Sequence, residues 1–178
     1  YIKFAFLTGV SQFSKVSIFS GLNNLEDITL NPQYGSICGY TQQDIESQFI
    51  AYLKGVDLEK LKAWYNGYNF LGDKMYNPFD ILLFIKNQHR YENYWFETGT
   101  PTFLVNLIQQ KKYFLPHFKQ IVVEQNIINS FDIKNLAIET IMFQAGYLTI
   151  KTVQQKRNRL IYRLDFPNLE VKQSFHDY

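Results

Sequence analysis

Hydrophobic and polar positions alternate along this chain in blocks that change period several times. Tyr1 to Val10 is apolar nearly throughout. A strand with two apolar faces needs a covering layer on each side, the habit of a central strand in a parallel sheet. Thr8 to Ser14 then gathers Thr, Gly and Ser, a turn signal, and Ser20 to Asn31 reads as a loop organised by Asn23 and Asn24. Glu26 and Asp27 are adjacent, so they point apart on a helix or a strand and do not form a paired-carboxylate site by themselves. From Thr41 the period becomes helical. Thr41 with Asp44 forms a capping box for a helix over Gln42 to Lys54, with Ile45, Phe49, Tyr52 and Leu53 as its apolar side and Gly55 at its end. Asp57 caps a second helix, Leu58 to Tyr65, stopped by Asn66-Gly67.

Asn77-Pro78 with Asp80 opens a third helix running to about Asn87: Asn at the cap, Pro at the first position, acid at the third. Its expected buried side is Phe79, Leu82, Leu83 and the stem of Lys86, with His89 and Arg90 at the carbonyl end. Tyr94 to Thr98 reads as a short strand or extended segment carrying Glu97, and Thr100-Pro101 opens a helix to about Lys112. A short strand at Gln120 to Val123 and a helix over Phe131 to Ala145, closed by Gly146, come next. The runs Tyr147 to Val153 and Leu160 to Phe166, separated by polar residues, predict a hairpin. Helix followed by hairpin is the order of a winged-helix unit. Pro167 to Tyr178 starts a last helix or a linker.

The 178 residues suffice for a core that buries about two thirds of the extended surface. Net charge is +2, so no global field favours nucleic acid or a membrane. Aromatic residues make up 17% and cluster at Trp64, Tyr65, Tyr68 and Phe70 around a glycine turn, which reads as a packed corner before a ring-stacking surface. Cys38 is the sole cysteine, which rules out an intrachain disulfide and a multi-thiolate zinc cluster and fits a reducing cytoplasm. Apolar runs such as Ile81 to Ile85 fall far short of the about 18 residues of a membrane span.

Seven stretches, in order, resemble the AAA-ATPase-like family of bacterial proteins whose members carry a C-terminal PD-(D/E)XK nuclease-like domain. They are FLTGVSQFSKVSIFSGLNNLEDITL from Phe6, ICGYT from Ile37, WYNGYNF from Trp64, YNPFDILLF from Tyr76, NYWFETGTPTFLVNLI from Asn93, GYLTI from Gly146 and LDFPNLEVKQSF from Leu164. The resemblance implies an α+β, mainly helical chain: one core strand of a P-loop α/β domain with a sensor-like loop over residues 1–36, a helical lid over 37–112 and a winged-helix-like region over 113–178. It implies Thr8 and Ser11, with Lys15 nearby, as contacts to a terminal phosphate or attacking water. It also implies MgATP in the parent protein and two neighbours outside this chain, an N-terminal P-loop domain and the C-terminal nuclease-like domain.

The residues themselves restrict catalysis. No GxxxxGK(S/T) occurs, so the amide cradle and lysine that grip phosphates are absent. Glu170-Val171-Lys172 has the last letters of a nuclease motif but follows a Pro-Asn turn without acidic partners. His89, His117 and His176 are too scattered for a metal site, and no Ser, His and acid constellation stands out. No catalysis is expected of the chain alone. The expected hairpin carries the one notable charge patch, Lys151, Lys156, Arg157, Arg159 and Arg163. A basic wing suits a phosphate backbone, so the alternative to the ATPase-like reading is a non-enzymatic nucleic-acid or protein interaction module.

Overall fold

Thr41 and Asp44 begin the first α-helix by exchanging hydrogen bonds in a computed structural model that describes residues 3–8, 26–99, 121–124 and 137–175, the side chains of 97–99 excepted. The Asp44 amide donates to Thr41 Oγ1 at 3.2 Å, while the Thr41 amide and hydroxyl donate to Asp44 Oδ2 at 2.8 and 2.7 Å. Those bonds hold the Asp44 carboxyl below the usual carboxylate range. The resulting α1 (Gln42–Asp44) continues as a π turn, Ile45–Phe49, and a 3-10 turn, Ile50–Tyr52. Gly55, at φ +78°, reverses the chain. Asp57 Oδ1 then accepts from the amides of Glu59 and Lys60 at 3.0 and 3.1 Å and caps α2 (Leu58–Tyr65).

Strand β1 (Tyr40–Thr41) and strand β2 (Asn66–Tyr68), which leaves α2 directly, both pair antiparallel with β3 (Met75–Tyr76) between them. Helix α3 (Pro78–Lys86) follows, its cap Asn77 accepting from the Phe79 amide at 3.0 Å, and then α4 (Tyr94–Gly99). Ile45, Leu53, Leu61, Tyr65, Tyr76, Ile81, Phe84 and Tyr94 close over one another as a first core. The second half places α5 (Ile138–Gln144) and α6 (Leu169–Ser174) against an antiparallel sheet of order β4 (Ile121–Glu124), β6 (Arg159–Asp165), β5 (Thr149–Lys156). Its core runs from Phe96 and Val123 through Met142, Phe143, Tyr147, Tyr162 and Leu164 to Phe175. The described residues therefore form a mixed α+β fold with six α-helices and two small antiparallel sheets.

Thr149 joins the two halves. Its hydroxyl accepts from the Asn69 amide at 2.7 Å and donates to the Asn69 carbonyl at 3.2 Å, and α2 lies against α6 beside it. Gly67 lets the backbones touch: at φ +128°, a Cβ there would collide with the Pro167 carbonyl oxygen and lie 2.9 Å from its carbon.

Several expectations change. Lys3 to Thr8 is not a strand: none of the described residues pairs with it, and Phe4 is 82% exposed. A two-faced apolar strand needs hydrogen-bonded neighbours to form. Tyr52, placed on the buried side of its helix, is exposed because the backbone leaves α-helical period at Ile45 and rotates later positions outward. On α3 the buried residues are Asp80, Ile81 and Phe84, whereas Phe79 and Leu82 are exposed. The helix is turned by about one position from its apolar sequence face, because an acid is drawn inside with Ile81. Tyr94 to Thr98 is helical, since Glu170 satisfies its first amides. Strand β4, the hairpin, the Asp57 cap and the Gly146 stop, at φ +84°, are as expected.

Candidate functional site

Residues from five separated stretches, around Tyr68, Asp80, Trp95, Tyr147 and Glu170, converge on one buried polar centre. Asp80 enters from the first turn of α3 and Glu170 from the first turn of α6, both 0% exposed. Asp80 sits there because Asn77 and Pro78 start the helix at a fixed residue, which turns the third position inward. Glu170 sits there because Asn168 Oδ1 accepts from the Val171 amide at 3.1 Å and starts α6.

Glu170 Oε1 accepts from the amides of Trp95 at 2.8 Å and Phe96 at 3.4 Å. It thereby caps α4 from 75 residues away, at the end of the helix whose partial charge favours an anion. Asp80 faces Glu170. Burial first, and then the Glu170 charge and a side-chain hydrogen bond to it, push the Asp80 carboxyl up to about 9, with the nearby Trp95 amide offsetting part of the rise. Neither Asp80 oxygen meets a donor in good hydrogen-bond geometry among the described residues. The rise keeps a proton on Asp80 at neutral pH, and that proton is the donor available between the two carboxyls.

Tyr68 closes the centre. Its ring stands edge-on to Trp95, with centroids 6.4 Å apart, and its hydroxyl lies near the side chains of Asn77 and Asn168. Burial, then the charges of Asp80 and Glu170, raise this phenol far above its ordinary range. Trp95 also packs on Tyr147, and its ring covers Gly146, where a Cβ would meet it at 3.5 Å. The arrangement can hold one proton and one negative charge away from water. With both carboxyls 0% exposed, the described residues leave it no open face for a substrate. Among the described residues no three acidic, histidine or cysteine side chains come together as a metal site.

Sequence reasoning placed Asp80 as a helix-start acid and set Glu170 aside; it did not join them. The legible signal was an acid within the apolar run Phe79 to Ile85, and a second between Leu169 and Val171. The pairing itself lies 90 residues apart in the chain.

The phosphate-contact candidates stay apart from this centre. Thr8 is exposed at the end of the described opening segment, while Ser11 and Lys15 lie outside the described residues. The structure divides the basic hairpin. Lys156, Arg157, Arg159 and Arg163 are exposed, and Arg159 pairs with Glu124 at 3.0 Å. Lys151 departs: the register of β5 on β6 shifts between Ile150 and Thr152, and Lys151 Nζ donates to the Pro167 carbonyl at 3.1 Å. Burial lowers the affinity of that amine for its proton. No helix among the described residues is long and apolar enough to cross a membrane.

The chain is 48% identical over 177 residues to a protein of Azotobacter chroococcum mcd 1 described as an uncharacterised protein in the vnfD 5′ region. The match takes in 99% of this chain and 34% of that relative, so the chain spans about a third of the relative's length. No family model and no solved structure matches the chain.

Proposed function

We propose that this chain is a portion of an AAA-ATPase-like protein that lends a phosphate sensor and a helical lid to a P-loop domain elsewhere in the same polypeptide. The observation that carries the reading is the opening segment. Phe4, Phe6 and Leu7 are 82, 47 and 60% exposed, and they lead to a hydroxyl residue, Thr8. An apolar segment with both faces in water suits the middle of a sheet made with strands from outside this chain. Thr8 would then stand at the strand end, where a short hydroxyl contacts a terminal phosphate. The greater length of the Azotobacter relative leaves room for such a domain.

In this reading the residues present contribute to a nucleotide site and do not hold one, because the chain has no phosphate-gripping lysine loop. MgATP, when bound by the parent, supplies the phosphoryl group. This chain supplies the Thr8 and Ser11 hydroxyls and, through α1 to α4, a lid. The buried Asp80–Glu170 pair fixes α3, α4 and α6 as one rigid unit, and such a unit passes a displacement to a neighbouring nuclease-like domain.

The test is calorimetric titration of the intact parent polypeptide with MgATP together with phosphate release. Binding by the parent, with turnover reduced by Thr8→Ala or Ser11→Ala and affinity little changed, is the expected result. Absence of nucleotide binding by the intact parent overturns the proposal.

A further inference from the structure

The β5–β6 hairpin has a charge distribution that neither the buried centre nor the opening segment uses. Residues 149–165 contain five cationic side chains and one acid, Asp165 at the base. Beyond Lys151 every residue of β5 is exposed, so the outer half of the hairpin stands clear of the core. Alternation along β6 puts Arg159, Ile161 and Arg163 on one face, while Tyr162 and Leu164 on the other are buried in the core. Pairing places Lys156 opposite Arg159, Gln154 opposite Ile161 and Thr152 opposite Arg163 on that same outer face. Arg157 occupies the tip at φ +54°.

Two cations directly opposite each other repel, and only Arg159 has a described carboxylate partner, Glu124, itself 40% exposed. Among the described residues, the outer face thus holds more positive charge than is neutralised. Arg159 to Arg163 spans about 13 Å at about 3.3 Å per residue. Along a duplex that length passes about four phosphates of one strand at about 3.4 Å each. A two-stranded ribbon also fits the major groove, about 12 Å wide. Gln154, Gln155 and Asn158 add exposed amides of the kind that pair with adenine edges.

We propose that the outer face and tip of this hairpin, Lys156, Arg157, Arg159 and Arg163, form a docking surface for duplex DNA. Phosphates take the place of the missing counter-charge, and the tip enters a groove. This assignment is independent of the nucleotide reading, since it rests on a different surface and needs no ATP.

The experiment is fluorescence anisotropy of the 178-residue chain with a fluorescein-labelled DNA duplex across a salt series. Four phosphate contacts predict a slope of log K against log salt of about −3 to −4. The double variant Lys156→Glu/Arg163→Glu should bind at least about tenfold more weakly with a slope shallower by about two, as expected for two lost phosphate contacts. Lys156→Glu places an acid opposite Arg159, so the fold is retained, which circular dichroism checks. Lys54→Glu, at an exposed lysine beyond α1, should leave binding unchanged. No binding at low salt, an equal loss with Lys54→Glu, preference for single strands, or equal and equally sensitive binding to phosphatidylserine vesicles each overturns the proposal.

Discussion

Replacing Asp80 by asparagine separates the proton in the buried centre from the shape of the residue that holds it. In the unfolded chain this carboxyl titrates near 3.8; in the fold it does so near 9. Between those values the folded state binds one more proton than the unfolded state, so stability declines as pH rises. The contribution is fully present below about pH 4 and is lost by about pH 9. One proton corresponds to about 1.4 kcal/mol per pH unit, an upper limit that relaxation around the pair reduces. Asp44, held low, titrates in the opposite sense but only near the acid end, and a window of about pH 5 to 8 avoids it. The amide of the Asp80→Asn variant keeps the volume and can donate an N–H to Glu170 at every pH. Urea unfolding followed by circular dichroism should show the wild type losing about 1 kcal/mol per pH unit relative to Asp80→Asn, with the variant the more stable at about pH 8. Groups common to both proteins cancel in the difference. Parallel pH profiles for the two proteins would refute the shared proton. A wild type that gains stability relative to the variant as pH rises through the window would refute its sign.

Two further substitutions test the junction between the halves. Gly67→Ala drives a Cβ into the Pro167 carbonyl from a backbone already at φ +128°, and it should lower stability by several kcal/mol, on the order of 3 or more, in the same urea assay. Thr149→Val keeps the volume but removes the acceptor and donor that serve both polar groups of the Asn69 backbone, and it should cost about 1–3 kcal/mol, with faster amide exchange at Asn69 as its local signature.

The local starts and stops were legible in the sequence because each depends on a few adjacent residues. Asp57 caps α2, Asn77-Pro78 opens α3, and Gly146 ends α5 as the residue types dictate. The hairpin was equally plain from its two β-rich runs. What the sequence concealed depended on distant partners. The rotation of α3 follows from Asp80 facing Glu170, and α4 is a helix because Glu170 reaches its first amides. The basic patch was visible as composition, but only strand register shows that Lys151 leaves it and Arg163 stays.

The register step at Lys151 has an evolutionary consequence. Ile150 faces Leu164 and Thr152 faces Arg163, so Lys151 is the extra residue that the partner strand does not match. Its deletion would leave both neighbouring pairs in place and remove only the bond to Pro167. A single deletion anywhere from Val153 to Lys156 would instead slip the pairing and exchange inner and outer positions of β5. Among relatives, an isolated one-residue gap in this hairpin should therefore fall at Lys151, and changes nearer the tip should arrive in matched pairs, one residue from each strand.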